Sequence, residues 1–354
     1  MDLSSLFTPK SIALKWDEAA SNRIPYLGES LFPVRKQAGL DLSFLKGSKG
    51  VPISLMPSAF DAKATFRDRI GVSKLETEMP FFREGMKVKE RDRQEILKAQ
   101  DSNSPYVMDV LGRIYDDANE LIEGAMVAAE RERMQLLFPV GGEVGITIKA
   151  NGVDYTYEYD ALDTWKGTNY FALTSSATWD NTSTADPFKD FDTAKQAVLS
   201  NTGANIAYAV MNSATFNLMM KINAVKNRFI TAVGVSVGYP TRSEVRKVVE
   251  DTAEIRIIIY DKQYRNENKV AAKFVPDDYI AFIPEGALGN TVYGTTPEEA
   301  DLMGKNVADV ALVNQGIAVT KETTVNPVNV NTFVSQIVLP SYERMDDVAV
   351  IKVK

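Results

Sequence analysis

Between Pro105 and Phe138 apolar residues return every three or four positions: Val107, Leu111, Ile114, Ala118, Leu121, Ile122, Ala125 and Ala129. That period predicts a single helix over 105–138. Ser104 can cap it and Pro105 suits its first position. Glu130-Arg-Glu-Arg133 lies near its end, and Pro139 with Gly141 and Gly142 stops it. At about 1.5 Å per residue the helix is roughly 50 Å long. That exceeds the helix of an ordinary compact domain. The heptad pattern of a coiled coil is not sustained. A beam of this length suits an extended, flat molecule.

The chain of 354 residues is long enough for about two domains. Its 45% apolar and 25% charged residues are those of a soluble globular protein. No run approaches about 18 uninterrupted apolar residues, so no membrane span is expected. The start, Met1-Asp-Leu-Ser-Ser5, carries no basic region followed by an apolar block, so no signal peptide is expected.

There is no Cys and no His. Disulfides, thiolate nucleophiles and Cys/His zinc sites are therefore excluded, as is every Ser-His-Asp or Cys-His arrangement. An enzyme built from this chain would have to use carboxylates, Lys, Tyr or an oxygen-liganded metal. The net charge of −7, from 40 Lys+Arg against 47 Asp+Glu, disfavours tight general binding of nucleic acid.

Residues 1–45 mix short apolar pieces with Pro and Gly, and Lys10–Ala20 can form one helix. The segment reads as an arm that needs a surface to lie on. Residues 46–90 open on Lys46-Gly-Ser-Lys-Gly50, a hinge by composition. Val51–Met56 and Val72–Met79 are short β-like runs, and Glu76–Lys89 alternates acid, base and aromatic side chains. Such a segment predicts a long loop or hairpin, which is marginal in water unless it lies against something.

Val144–Tyr159 predicts a hairpin turning at Asn151-Gly152. Val144, Ile146 and Ile148 share one face; Tyr155, Tyr157 and Tyr159 share one face of the returning strand, read as a packed stripe. Residues 160–190 form a polar connection holding Trp165 and Trp179. Helices are then expected at Phe191–Ser200, Ser213–Asn223, Lys226–Thr231 and Arg242–Val249. Strands are expected at Ile206–Met211, Ile255–Tyr260, Val270–Val275 and Tyr279–Ile283. Residues 286–325, rich in Gly and Thr, are expected to be irregular. The chain closes on two β-rich runs, Gln336–Leu339 and Val348–Val353, flanking the break Pro340–Asp347. An end that stays apolar to its penultimate residue predicts a strand held in a sheet rather than a frayed tail.

Few residues offer chemistry. Gly234-Val-Ser-Val-Gly238 lacks the following Gly-Lys-Ser/Thr of a phosphate-binding loop. The acid pairs Asp116-Asp117, Asp277-Asp278 and Asp346-Asp347 lack the alternating ligand spacing of a calcium loop and read as solvated turn or surface residues. The basic pieces Lys87–Arg93 and Arg242–Lys247 are interleaved with acids, which suits protein–protein pairing better than phosphate binding. No cofactor and no metal are expected.

Several stretches, taken in order, resemble the phage lambda major head protein (coat E) family. They are Asp186-Pro-Phe-Lys-Asp-Phe-Asp192, the strand, Gln263-Tyr264 pair, turn and Phe274-Val-Pro-Asp277 within Ile257–Tyr279, Gly289-Asn-Thr-Val-Tyr-Gly294, and the Pro-led break with an Asp-rich turn before the last strand. The resemblance implies an α+β chain with the HK-ninety-seven-type phage capsid fold. Residues 1–45 would be an N-arm and 46–90 an extended loop. Residues 91–185 would be a peripheral domain with the spine helix 105–138 and the hairpin 144–159. Residues 186–325 would be an inserted axial α/β domain, and 326–354 would return as strands of the peripheral domain, beside the hairpin and the long helix.

The implied function is that of a tailed-phage major capsid protein, a virion component without catalysis, assembled in the bacterial host cytoplasm. It would form pentamers and hexamers of an icosahedral shell around double-stranded DNA, touching the DNA only non-specifically. Its partners would be itself, a portal, a separate scaffolding protein (no proteolysed scaffolding segment precedes the arm) and a decoration protein. Arg67, Arg69, Lys74, Glu76, Phe81, Phe82, Arg83, Glu84 and Lys87 are the expected inter-subunit contacts. An encapsulin-like nanocompartment shell shares the fold and is the alternative; a carboxylate hydrolase is a third reading.

Overall fold

A computed structural model describes residues 8–20, 25–46, 73–88, 94, 106–150, 153–233, 241–266, 268–303, 309–325 and 328–354. Its helices are α1 (Pro9–Ala20), α2 (Leu27–Leu31), α3 (Tyr106–Leu137), α4 (Thr164–Asn169), α5 (Pro187–Thr202), α6 (Ser213–Met220), α7 (Asn223–Val233) and α8 (Arg242–Ala253). Its strands begin with β1 (Val34–Lys36), β2 (Asp41–Lys46), β3 (Ser73–Glu78), β4 (Phe81–Val88), β5 (Gly145–Ala150), β6 (Val153–Glu158), β7 (Tyr170–Ala172), β8 (Ile206–Met211) and β9 (Arg256–Ile259). They continue with β10 (Gln263–Arg265), β11 (Ala271–Lys273), β12 (Tyr279–Pro284), β13 (Thr291–Tyr293), β14 (Asp309–Val313), β15 (Ile317–Val325), β16 (Val328–Pro340) and β17 (Ala349–Lys352).

The chain divides into two compact units, both discontinuous in sequence. The first takes Met1–Leu42, Glu76–Glu132 and Asn290–Ser341; the second takes Ser43–Leu75, Arg133–Gly289 and Tyr342–Lys354.

In the first unit the sheet runs β1-β13-β16-β15-β14, with β4 also on β16. The 13-residue β16 is its axis. One edge of β16 pairs with β15 from Val328 to Gln336. The other edge pairs with β4 from Val330 to Ile337 and with β13 from Val338 to Pro340. Side chains alternate between faces in such a ladder. One face carries Val313, Ile317, Val319, Val334 and Val338, which pack with Ile12 and Trp16 of α1 and Ala118, Leu121, Ile122 and Ala129 of α3. Phe82 and Met86 of β4 join this core at its margin. The expected helix is therefore found within one residue at each end, as a 32-residue element.

In the second unit the sheet runs β7-β17-β12-β8-β9. β12 is buried at every position, as a central strand covered on both faces should be. The core joins Phe191, Ala194 and Val198 of α5, Phe216 and Met219 of α6, and Val245 and Val249 of α8 to Ile257, Ile280, Phe282 and Ile351 of the sheet. The ring of Phe191 meets that of Phe282 edge-on at 5.1 Å. The helix ends follow local chemistry. Asp186 accepts hydrogen bonds from the Phe188 and Lys189 N–H groups ahead of Pro187, and Gly203 closes α5 at φ 75°. Thr241 and Glu244 form a reciprocal capping box at α8. The hairpin β5–β6 has the expected register, with Ile146 opposite Tyr157. Its tyrosine row is graded, from Tyr155 exposed to Tyr157 and Tyr159 buried. Asn151, Gly152 and Gly234–Gly238 lie outside the described residues, as does Val51–Met56.

Four expectations are corrected. Residues 286–325 are not irregular: they hold β13, β14 and β15. Their threonines are β-branched strand formers, and Gly316 sits in the turn between β14 and β15. Strands β14 and β15 share a sheet with β16, so this stretch does not continue the helical unit that holds α5–α8. The two closing runs do not share a sheet. β16 lies in the first unit's sheet, while β17 pairs with β12 and β7 in the second. The expected return of all of 326–354 to one place fails there, because the break at Ser341–Val348 carries the chain from one unit into the other. Finally, Asp347 is buried rather than solvated and pairs with Arg344 at 2.8 Å.

Candidate functional site

Of the nine expected contact residues, Arg67 and Arg69 lie outside the described residues, and Lys74 and Glu76 lie on β3. The other five fall on one element, β4. The sequence suggested a loop there, because acids, bases and aromatics alternate. The alternation is in fact a strand period: Phe82 and Met86 turn toward the core, while Phe81, Arg83, Gly85 and Lys87 share the opposite face. Among the described residues β4 has one strand partner, β16, and its other side pairs with no strand.

The strand is anchored at its centre. Gly85 lies opposite Phe333, and any Cβ there would overlap the Phe333 ring. The Arg83 guanidinium stands 5.7 Å from the centre of the same ring. Arg83 also forms an ion pair with Glu298, a residue only 2% exposed. The Glu298 carboxylate accepts no hydrogen bond from any other group among the described residues. Arg83 thus has an ion-pair partner within its own chain, with its side chain 51% exposed. Phe81, Glu84 and Lys87 remain exposed on β4, the ring of Phe81 at 38%. They place an apolar ring, an acid and a base along one strand.

The family model of phage major capsid protein E matches residues 15–353. The chain belongs to that family. Two solved structures share its fold. A phage-related protein from Bordetella bronchiseptica RB50 superposes with a TM-score of 0.56 at 16% identity, covering 96% of each chain. A structure described as a prophage capsid protein of E. coli CFT073 superposes with a TM-score of 0.59 at 11% identity, covering 98% of this chain and 99% of the other. No curated protein sequence matches the chain. The capsid E family is a structural one whose members belong to the virion, and the fold is the HK-ninety-seven-type capsid fold. The match favours a phage capsid protein over the encapsulin alternative.

Several carboxylates of this capsid E chain have structural partners. Asp277 accepts from Lys273 Nζ at 2.7 Å and from Asn212 Nδ2 at 2.6 Å; the Lys273 hydrogen bond is the main reason its carboxyl lies below the ordinary Asp value. Asn212 is the hub of that corner, since its Oδ1 also accepts from the N–H and hydroxyl of Thr215 to cap α6. Asp261 accepts from the Ser213 N–H at 2.7 Å. Asp190 accepts from Trp179 Nε1 at 2.8 Å. An open cleft of about 730 Å³ along α5 is lined by Phe171, Phe188, Lys189 and Gln196. Burial raises the Asp190 carboxyl above its ordinary value, and the Trp179 hydrogen bond opposes that rise. Among the described residues no group of three or more Asp or Glu could hold a metal ion. The Asn212–Thr215 cap and the Lys273–Asp277 pair are local in sequence, whereas Asn212–Asp277 and Ser213–Asp261 join residues brought together only by the fold.

Proposed function

We propose that this protein builds the icosahedral head of a tailed phage as pentamers and hexamers of itself, enclosing packaged double-stranded DNA without catalysis. The match to the capsid E family over residues 15–353 carries this reading. Residues 1–45 act as an arm and 46–90 as an extended loop that reach neighbouring subunits, with the root of the loop at β4. The spine helix and the sheet around β16 form the peripheral body, and α5–α8 with their sheet form the axial body. Phe81, Glu84 and Lys87 on β4, with Arg67, Arg69, Lys74 and Glu76 of the loop, meet a neighbouring copy. Each contact can be weak because many repeat around the shell. A scaffolding protein, a portal and a decoration protein are the further partners, and assembly takes place in the bacterial cytoplasm. The acidic chain meets DNA only through non-specific contacts.

Electron microscopy of the purified full-length protein tests the reading. Closed shells or rings are expected, and Lys87→Glu should reduce their yield while the subunit keeps its wild-type unfolding midpoint. A protein that stays monomeric alone and when co-expressed with the other head proteins overturns it.

A further inference from the structure

The turn after β13 is unusual in its backbone and in its anchors. Glu298–Leu302 form a wide π-type turn, closed by the Met303 N–H donating to the Glu298 carbonyl at 3.2 Å. Such turns are rare and gather where a chain must move or bind. Thr296 organises its start: its hydroxyl accepts from the Glu299 N–H at 3.3 Å and its carbonyl from the Ala300 N–H at 3.0 Å.

Its two adjacent glutamates reach two different strands. Glu298 pairs with Arg83 of β4. Glu299 pairs with Lys36 of β1 at 2.6 Å, and Lys36 Nζ also donates to the Gly294 carbonyl at 3.0 Å. The turn lies against β14 and β15. Ladder register puts Arg83, Ser335 and Ala318 on one face, with Gly85, Phe333 and Thr320 in the next row. This is the face turned away from α1 and α3. It buries polar groups: Ser335 is 2% and Thr320 6% exposed, and the Thr320 hydroxyl makes no hydrogen bond among the described residues. The turn itself offers little apolar mass, with Leu302 half-buried and Met303 48% exposed.

We propose that Thr296–Met303 is a charge-held strap that pins β1 and β4 to the sheet and can lift as a unit. The energetics favour a device of this kind. The face under it holds the buried Ser335 and Thr320 beside the small Ala318, so part of what lifting exposes is polar and is solvated by water. What resists lifting is two ion pairs whose basic partners are partly exposed, Arg83 at 51% and Lys36 at 28%. Salt screens such pairs according to their exposure, the Lys36–Glu299 pair more than the pair that holds buried Glu298. Closing the strap fixes β4 in register; opening it frees the strand. One turn therefore sets the freedom of two strands that are far apart in sequence. The inference concerns the single subunit and stands whether or not β4 is an assembly contact.

Hydrogen exchange read by mass spectrometry on the full-length chain tests it, in wild type, in Glu298→Gln and in the double variant Lys36→Met/Glu299→Gln, each compared with wild type in the same oligomeric state. Exchange in Phe81–Val88 and Thr291–Met303 should be at least about tenfold faster in each variant, the signature of a cheaper local opening. In wild type the same segments should speed up between about 0.05 M and about 1 M salt, and that salt response should shrink in the variants. Exchange in Ala349–Lys352 should not change. Unchanged rates in Phe81–Val88, or a wild type indifferent to salt, overturn the proposal. So does acceleration that spreads equally to Ala349–Lys352, because Glu298 would then support the whole fold. If Glu298→Gln does not fold, the Lys36/Glu299 variant decides by the same criteria.

Discussion

The indole Nε1 of Trp165 donates to the carbonyl of Val348 at 2.9 Å, across 183 positions of sequence. It shares that proton with the Met345 carbonyl at 3.0 Å. Asn169, one turn later on α4, donates through Nδ2 to the carbonyls of Asp346 and Val348. Arg344 closes the other side, reaching Asp347 and the carbonyls of Glu285 and Ala287. The turn that feeds β17 is therefore held through its own backbone, where unpaired carbonyls would otherwise be buried.

Trp165→Phe should lower stability by about 2–4 kcal/mol, combining lost hydrogen bonds at buried carbonyls with a cavity left by the smaller ring. Chemical denaturation followed by intrinsic fluorescence measures it. Deleting Val348–Lys354 is harsher. It removes Val348, Ala349, Val350, Ile351 and Val353, all buried, and leaves β12 without one neighbour. That chain should lose hydrogen-exchange protection throughout Tyr279–Pro284 before any effect on assembly can be scored.

Arg83 and Lys87 sit four residues apart on one strand face, yet their reversals should differ. Arg83→Glu sets a second carboxylate against buried Glu298 and should cost about 1–3 kcal/mol, less than a fully buried pair because Arg83 is half exposed. Lys87→Glu faces solvent and should cost about 0.5 kcal/mol or less. Reversing both together, the test that the sequence alone recommends, would confuse folding with assembly. The swap Arg83→Glu/Glu298→Arg should recover part of the loss, and thermal unfolding of the four proteins gives the coupling.

Elements with a strong local period were readable in advance. The long helix announces itself through Ala118, Leu121, Ile122 and Ala129, and β8 and β12 through unbroken apolar runs. The order of short motifs around Tyr264, Pro276 and Tyr293 gave the family. The misread parts share a physical cause: their strand character depends on partners distant in sequence. β4 looks charged, and only Phe333 across the ladder explains Gly85. β15 carries three Thr and one Lys among its nine residues, and its register needs β16. The two closing strands looked like a pair because nothing in Ser341–Val348 reveals that Trp165 and Asn169 hold that turn in another sheet. Of the candidate site, the segment was legible; the ion pair of Arg83 was not, since Glu298 lies more than 200 positions away.

Gly85→Ala offers a direct test of that ladder. The methyl group would overlap the Phe333 ring, and the ring can yield only by leaving Arg83. Overpacking of this kind costs about 1–3 kcal/mol. Phe333→Leu should relieve the clash, so the double variant should be more stable than the sum of the single losses. Unfolding free energies from a four-member mutant cycle report it, and strict additivity would place the ring elsewhere.

Asp190 gives a pH-dependent prediction with a definite sign. Burial raises its carboxyl above the ordinary value, more than the Trp179 hydrogen bond lowers it. A carboxyl raised in the folded state favours folding below its unfolded value and loses that contribution as pH climbs through the folded one. Asp190→Asn keeps an oxygen for Trp179 Nε1 and carries no charge at any pH. Its stability relative to wild type should therefore rise from near equality in acid to a plateau at neutral pH. Asp190→Ala leaves the Trp179 N–H without its acceptor and should lose about 1–3 kcal/mol at neutral pH. Melting temperatures of the three proteins at intervals from about pH 3 to about pH 8 distinguish the cases, since that range brackets the ordinary carboxylate values. An Asn variant that falls further behind wild type as pH rises would mean that the Trp179 hydrogen bond, not burial, governs Asp190.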